Sequence, residues 1–481
     1  MAPSLSVKDL ITVDPGLPNQ HPTQSHWQHI PHALSNTQSP SLPQKTDIAI
    51  IGSGITSLSV CKTLLESHPS MTITLLEARA LCSGATGRNG GQLATNAGEE
   101  YQHLARTHGA EMAGKIVQFT WDNLQRMRTL SLTYAGETSE LQDVQKLRVF
   151  LTSKVFKRFK DSMDMLETDH PSFRGTYTIV SAEELKTKQE YNISGAGGAL
   201  LPAGTIWPYR LVTTTFASLL DKYKSRISIE THTPVTAVNY TTEESSCHPY
   251  ILHTTRGTLR AGKIAYCTNG YSGHLLPRLR GLIYPFKGTM TVQVPGAAAP
   301  NRGEYLSWGF HYPAVYDACS MRYAAGLYYL MQNAKTGYYY FGGEDTRVDL
   351  CLSADDSRID EDLVQKLQAK SVFVGDESQG HEPRTLVSAW TGVMGFSADG
   401  MPVVGQLPSS LTGRKGEGEY IAAAFNGYGM ANCLLSGEAL AKMMLGEGVS
   451  EWLPAAYGIH DGRLKELLTV DHAVRSFERH T

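Results

Sequence analysis

The sequence has no long apolar run, no closely spaced cysteine pair and no excess of one charge, and each absence removes a class of function. No stretch approaches the roughly 20 apolar residues needed to span a bilayer. The first residues lack the basic-then-apolar pattern of an export signal, so a cytoplasmic location with no membrane partner is expected. The seven cysteines (Cys61, Cys82, Cys247, Cys267, Cys319, Cys351, Cys433) form no Cys-x-x-Cys pair, which points to reduced, mostly buried thiols; no metal site is expected. With 43 basic against 46 acidic residues the chain has no field to gather nucleic acid or anionic lipid, and a small molecule is the default partner. No repeat at solenoid or propeller periods is present.

At 481 residues, 41% hydrophobic and 19% charged, the chain is globular and too long for one small core, so two closely packed lobes are expected. Residues 1–44 are rich in Pro, Gln, Ser and His without a period of 2 or 3.6; they read as an extended or disordered arm, with Trp27 and Ile30 as candidate anchors. Order begins with the apolar run Asp47-Ile48-Ala49-Ile50-Ile51, the turn Gly52-Ser53-Gly54, and Leu58, Val60, Leu64 and Leu65 at helical spacing. A second apolar strand, Ile73 to Leu76, ends on Glu77 and completes a βαβ unit with parallel strands. Helical patterns follow near 101–132 and 155–170, and alternation near 226–240 and 250–268, giving a mixed α/β chain with a second sheet. Late in the chain, an aromatic strand Tyr338 to Phe341 is closed by Gly342-Gly343. An apolar strand Tyr420 to Phe425 then leads through Asn426-Gly427-Tyr428-Gly429 into a helix carrying Leu434, Leu435, Leu440 and Met443. Two strand, glycine turn, helix units far apart in sequence can thus face one ligand.

Gly52-Ser53-Gly54-Ile55-Thr56-Ser57 fits GxGxxG except that Ser57 replaces the third glycine. The first two glycines let the backbone approach a pyrophosphate at a helix N-terminus. Glu77, 25 positions after Gly52, stands where a carboxylate accepts hydrogen bonds from an adenosine ribose and disfavours a 2′-phosphate. The segment Ser83-Gly84-Ala85-Thr86-Gly87-Arg88-Asn89-Gly90-Gly91-Gln92 has too little apolar content for a core element and offers many backbone donors.

This loop resembles the flavin-contacting loop of D-amino-acid-oxidase-type (DAO) FAD-dependent oxidoreductases, the group that includes glycine, sarcosine and γ-glutamylputrescine oxidases. Four further segments agree in order: the βαβ start at 47–79, Gly204 to Arg210, Cys267-Thr268-Asn269-Gly270-Tyr271, and the pair Trp390 to Gly405 with Phe425 to Gly437. The resemblance implies a Rossmann-like FAD-binding domain of the GR2 type from 45–125, 205–280 and 385–481. It implies a second, antiparallel-sheet substrate domain from 126–204 and 281–384. Gly52 to Thr56 would cradle the pyrophosphate, Glu77, Ala78 and Arg79 the adenosine, and the backbone of Val235 the adenine. Ser83 to Gln92, Thr268 to Gly270, and Gly427-Tyr428-Gly429-Met430 would meet the rest of the cofactor. The family's tethering His and Cys have no counterparts here, so non-covalent FAD is expected.

The activity this implies is oxidation of the C–N bond of an amine or amino-acid-like substrate to an imine by hydride transfer to flavin N5, with O2 as acceptor and H2O2 as product. A dehydrogenase with another acceptor, an oxidase of specialised metabolism and a catalytically silent flavoprotein module stay open. Lys287, in Pro285-Phe286-Lys287-Gly288 where relatives have Arg, is a candidate fixed charge assisting O2. Trp308, Tyr312 and Tyr340 are candidates for an aromatic substrate wall. His274, His311 and His381 are candidate bases, read mainly as ordinary histidines.

Overall fold

The computed structural model describes residues 5–242, 247–296, 299–370 and 384–479. The run Lys45–Ile51 becomes a central strand because Ile48, Ala49 and Ile50 are apolar on both faces and fully buried. It pairs in parallel with Ile73–Leu76 on one side and Gly257–Tyr266 on the other. Parallel pairing extends outward to Ile227–Glu230 and to Glu419–Ala423. The hairpin Val235–Tyr240 with Tyr250–Thr254, and the edge strand Val403–Gln406, complete an 8-stranded sheet. Ile55–Ser67 and Cys433–Met444 pack against each other beside this sheet.

The second sheet has 10 strands, all antiparallel to their neighbours except Leu306–His311, which runs parallel to Gln142–Phe150. Its long strands are Ile283–Gln293, Tyr339–Arg347, Arg322–Gln332 and Leu386–Ser397. A domain division at residue 385 therefore falls just before a strand that closes this sheet. Gly342 and Gly343 do not end the aromatic strand. They lie inside it because the rings of Tyr329 and Tyr328 pack across them.

The helical stretch expected over 101–132 is two helices, Tyr101–His108 and Ala110–Leu130, separated at Gly109 with φ +84°. Residues 5–44 pack on the globule as an ordered arm. Ser6 caps a helix at Val7–Thr12, Trp27 is buried, and only Ile30 of the two expected anchors stays exposed. Of the cysteines, Cys61, Cys82 and Cys351 are buried, Cys267 and Cys433 half-buried, and Cys247 and Cys319 exposed. Among the described residues no helix is long and apolar enough to cross a membrane.

Candidate active site

A cavity of about 1370 Å³ runs between the two sheets. Its first end is the turn after the central strand. Gly52 has φ +105°, and a β-carbon there would stand 2.6 Å from the Cys267 carbonyl, so the turn tolerates no side chain at this position. Ile55 begins a helix whose first amide donates to the Thr86 hydroxyl at 3.1 Å, joining turn and loop. Where the fingerprint wants a third glycine, Ser57 is fully buried, and the close helix contact is supplied from the other side. A β-carbon at Gly437 would lie 2.6 Å from the Thr56 carbonyl.

Glu77 is buried at the cavity wall, its Oε2 accepting from the Ser53 hydroxyl at 2.6 Å and its Oε1 from the Arg79 amide at 2.9 Å. A carboxylate offers about four acceptor positions, so room remains for ribose hydroxyls. Gly52 to Thr56, Glu77, Ala78, Gly84, Ala85, Thr86, Arg88, Asn89, Gly90, Gln92, Val235, Thr268, Asn269, Gly427, Tyr428, Gly429 and Met430 all line this one cavity. Four expected contacts stand behind its wall. Arg79 forms a buried ion pair with Asp356 at 2.9 Å, and the Ser83 carbonyl accepts from Arg88 Nε at 2.8 Å. Gly91 packs on Trp27, and Gly270 on the Met394 backbone. Arg88 spends its guanidinium on the carbonyls of Ser83, Thr391 (2.7 Å) and Thr23 (2.7 Å), so it ties the loop down rather than serving as a free cation.

The late turn is equally fixed. Asn426 donates its amide to the Gly395 carbonyl at 3.0 Å, and Asn123 binds the Met430 carbonyl and the Leu435 amide, each at 2.9 Å. These bonds hold the residues flanking Gly427 and Gly429 in place at the cavity. The shape and donor chemistry of this end fit FAD: a carboxylate beside a glycine cradle, then two backbone-rich turns. No pKa shift or charge excess is needed for that fit.

The other end is lined by buried charge. Lys146 and Arg148 alternate with apolar residues on Gln142–Phe150, which places both on one face of the strand. Arg148 forms an ion pair with Glu99, and Lys146 donates to Gln92 and, at 3.2 Å, to the Trp308 carbonyl. Burial disfavours the Glu99 carboxylate, but Arg148 together with His311 and Arg158 outweighs it and holds the group below the usual range. Burial, assisted by Arg148, lowers Lys146 to about 7. Burial likewise lowers His311 to about 4, although Glu99 is 4.0 Å away. Across the cavity Glu344 is pushed up to about 7 by burial, against the opposing effect of hydrogen bonds from the Tyr329 hydroxyl, at 3.3 Å, and the Thr289 backbone. Arg106, Lys154, Lys157, Arg158 and Arg479 stand exposed at the rim.

Several candidates lie elsewhere. Phe286, Gly288 and Met290 face the cavity, so strand alternation turns Lys287 away, and its ammonium donates to the Asp355 carbonyl at 3.0 Å. By the same rule Trp308 points into a core with Leu330 and Phe341 while Gly309 and His311 take the other face. Tyr340 is covered by Trp27, stacked at 4.2 Å. Tyr312 does line the cavity, stacked on Tyr328 at 4.9 Å. His274 lines the first end and meets Asp14 at 3.0 Å, and His381 lies outside the described residues. Sequence reading missed Glu99, Lys146, Arg148, Tyr329 and Glu344. For Lys146, Arg148 and Glu344 the available signal is charge inside otherwise buried strands; Glu99 and Tyr329 carry none.

The sequence pattern of the family described as "DAO: FAD dependent oxidoreductase" matches residues 47–443. The probable oxidoreductase OrdL of Rhizobium meliloti (strain 1021) is 22% identical over 412 residues, 84% of each chain. Among solved structures, glycine oxidase from Geobacillus kaustophilus superposes with a TM-score of 0.65 at 16% identity, covering 87% of this chain and 99% of its own. L-proline dehydrogenase from P. horikoshii gives 0.62 at 16%, covering 89% and 100%. NikD, an amino acid oxidase of nikkomycin biosynthesis, gives 0.59 at 17%, covering 85% and 95%. At these identities the likeness shows the fold.

Proposed function

The chain belongs to the DAO family of FAD-dependent oxidoreductases, and from that premise we propose that it oxidises the C–N bond of an amine or amino-acid-like substrate to an imine. The observation that carries this reading is the second end of the cavity, where a buried carboxyl and a buried cation pair face one space that is continuous with the glycine turns. FAD, when bound, supplies acceptance of the two electrons and the hydrogen that leave the carbon. The remaining tasks fall to side chains. Glu344 holds or takes the amine proton, because a carboxyl near 7 exchanges protons at neutral pH. Tyr329, hydrogen-bonded to it, fixes its orientation. Arg148 and Lys146 orient an anionic group of the substrate, and the basic rim draws such a substrate inward. Tyr312 and Tyr428 contribute an aromatic wall, and burial of the cavity floor keeps bulk water from the reacting carbon. Released imine would hydrolyse in water to a carbonyl compound and an amine or ammonia.

O2 is the acceptor in this reading, with H2O2 released. Lys287 lends it no support from its position, and the buried cations at the second end of the cavity are Lys146 and Arg148. The test is the visible spectrum of the purified protein, before and after acid precipitation, then anaerobically with a panel of amines and amino acids. Flavin bands that pass to the supernatant and bleach with one substrate class support non-covalent FAD and C–N oxidation. Bleaching by no amine would overturn the substrate reading, and peroxide absent after air is admitted would overturn the O2 reading.

A further inference from the structure

The segment before residue 45 lies outside the family match, yet part of it touches the cavity. Gly16, Leu17 and Pro18 line it, and the flanking Asp14 and Asn19 meet His274 at 3.0 Å and Arg79 at 3.1 Å, which sets this stretch at the end that suits the adenosine. A few residues on, the chain fastens the back of the flavin-contacting loop. The Ser25 hydroxyl and the Gln28 amide both donate to the Gly87 carbonyl at 2.8 Å. Arg88 donates to the Thr23 carbonyl, and Trp27 Nε1 donates to the Asn89 carbonyl at 2.6 Å.

Space at this contact is tight. A β-carbon on Gly87 would lie 2.5 Å from Gln28 Nε2, and one on Gly91 would lie 2.9 Å from the Trp27 ring. The Cys82 carbonyl lies closer still to the Gly87 position, and the Ile206 carbonyl to Gly91, at 2.8 Å, so the loop's own fold requires both glycines and the arm packs onto the flat surface they leave. Trp27 is 1% exposed, stacked on Tyr340 and edge-on to Trp207 at 5.1 Å, so the anchor is fixed from the side opposite the loop.

We infer that residues 16–28 are a working part of the cofactor site, forming its outer wall at the adenosine end and setting the backbone of residues 87–89 for the flavin end. In a trans peptide the carbonyl of one residue and the N–H of the next point in opposite directions. Donors on the arm that hold the Gly87 and Asn89 carbonyls therefore fix the peptide planes that precede Arg88 and Gly90, closing the turn Ala85–Arg88 and turning the amide of Gly90 the other way, and Arg88 and Gly90 both line the cavity. Trp390 Nε1, at 2.8 Å, does the same for the carbonyl of Arg88. Without the arm two of these three carbonyls lose their donors, and the loop loses the constraint that presents its amides.

This inference rests on FAD occupying the cavity, and the experiment separates the two. The full chain is stripped of flavin and titrated with FAD by fluorescence, alongside Glu77→Arg, the double variant Ser25→Ala/Gln28→Ala and a chain lacking residues 1–31; melting temperatures of the apoproteins are recorded in parallel. The double variant is expected to bind FAD at least about fivefold more weakly, as loss of two neutral hydrogen bonds implies, and the shortened chain more weakly still. If Glu77→Arg loses FAD while the double variant stays within fivefold of the parent, the arm is only structural and the inference fails, whatever the apoprotein melting temperatures do. If Glu77→Arg keeps FAD, the cavity assignment itself is wrong and the inference falls with it. Should the shortened chain not fold, the double variant decides alone.

Discussion

The two ends of the cavity are built on opposite principles. The dinucleotide end is made of glycines and main-chain groups, with one carboxylate, Glu77, whose partners are the neighbouring Ser53 and Arg79. The substrate end is made of buried charged side chains, Glu99, Lys146, Arg148 and Glu344, drawn from a loop and two distant strands. A backbone-built site depends on local geometry and is insensitive to pH. A site built from buried charge depends on each partner staying in place, and its protonation shifts within the physiological range.

The comparison is broken most severely at Arg148. Replacing it by Leu leaves Glu99 buried without its cation and is expected to lower stability by about 3–5 kcal/mol, read by denaturant unfolding, whereas Glu99→Leu/Arg148→Leu recovers much of that loss. Recovery absent from the double variant would mean that the two residues act separately. At the other end, Glu77→Arg should weaken FAD binding by about 2–4 kcal/mol through charge and lost hydrogen bonds, alongside a lower apoprotein melting temperature from the lost bonds to Ser53 and Arg79. Full flavin occupancy in that variant would remove Glu77 from the site.

The pH dependence sharpens the contrast. Glu344 carries its proton below about 7 and gives it up above, so the rate of anaerobic reduction should rise with pH through that value if the carboxylate accepts the amine proton. Lys146 loses its charge in the same interval. Glu344→Gln should flatten the rise and Lys146→Met should leave it, while FAD affinity stays level across the interval in both. The smallest effect is expected at Lys287→Met, which should change reoxidation by O2 less than about twofold because the ammonium is held by backbone carbonyls on the far side of its strand. A tenfold slowing would show that it reaches the flavin by some other arrangement.

The same difference explains what could be read from the sequence. Gly52 to Thr56 and Glu77 belong to one unit of local spacing, and the loop 83–92 stands out by its lack of apolar residues, so both are legible in the sequence alone. Lys146, Arg148 and Glu344 meet only through sheet pairing. Each looks alone like an ordinary charged residue in a strand. Trp308, Tyr340 and Lys287 were misplaced for a related reason: alternation fixes that neighbours take opposite faces, but not which face meets the cavity. For Tyr340 even that face would have misled, since Trp27 arrives from a segment whose composition suggested disorder.

That segment has a consequence for how the protein is made. Thr23 accepts the amide of Thr391, 368 residues away, and Thr23 also binds the Asp356 backbone. Synthesis proceeds from the N-terminus, so the segment at 16–28 leaves the ribosome long before the residues near 356 and 391 that help to seat it. Throughout that wait it is exposed to solvent and to other nascent chains. Residues 16–28, polar apart from Leu17, Trp27 and the prolines, are suited to waiting because they offer neither a strand edge nor a broad apolar face for wrong partners.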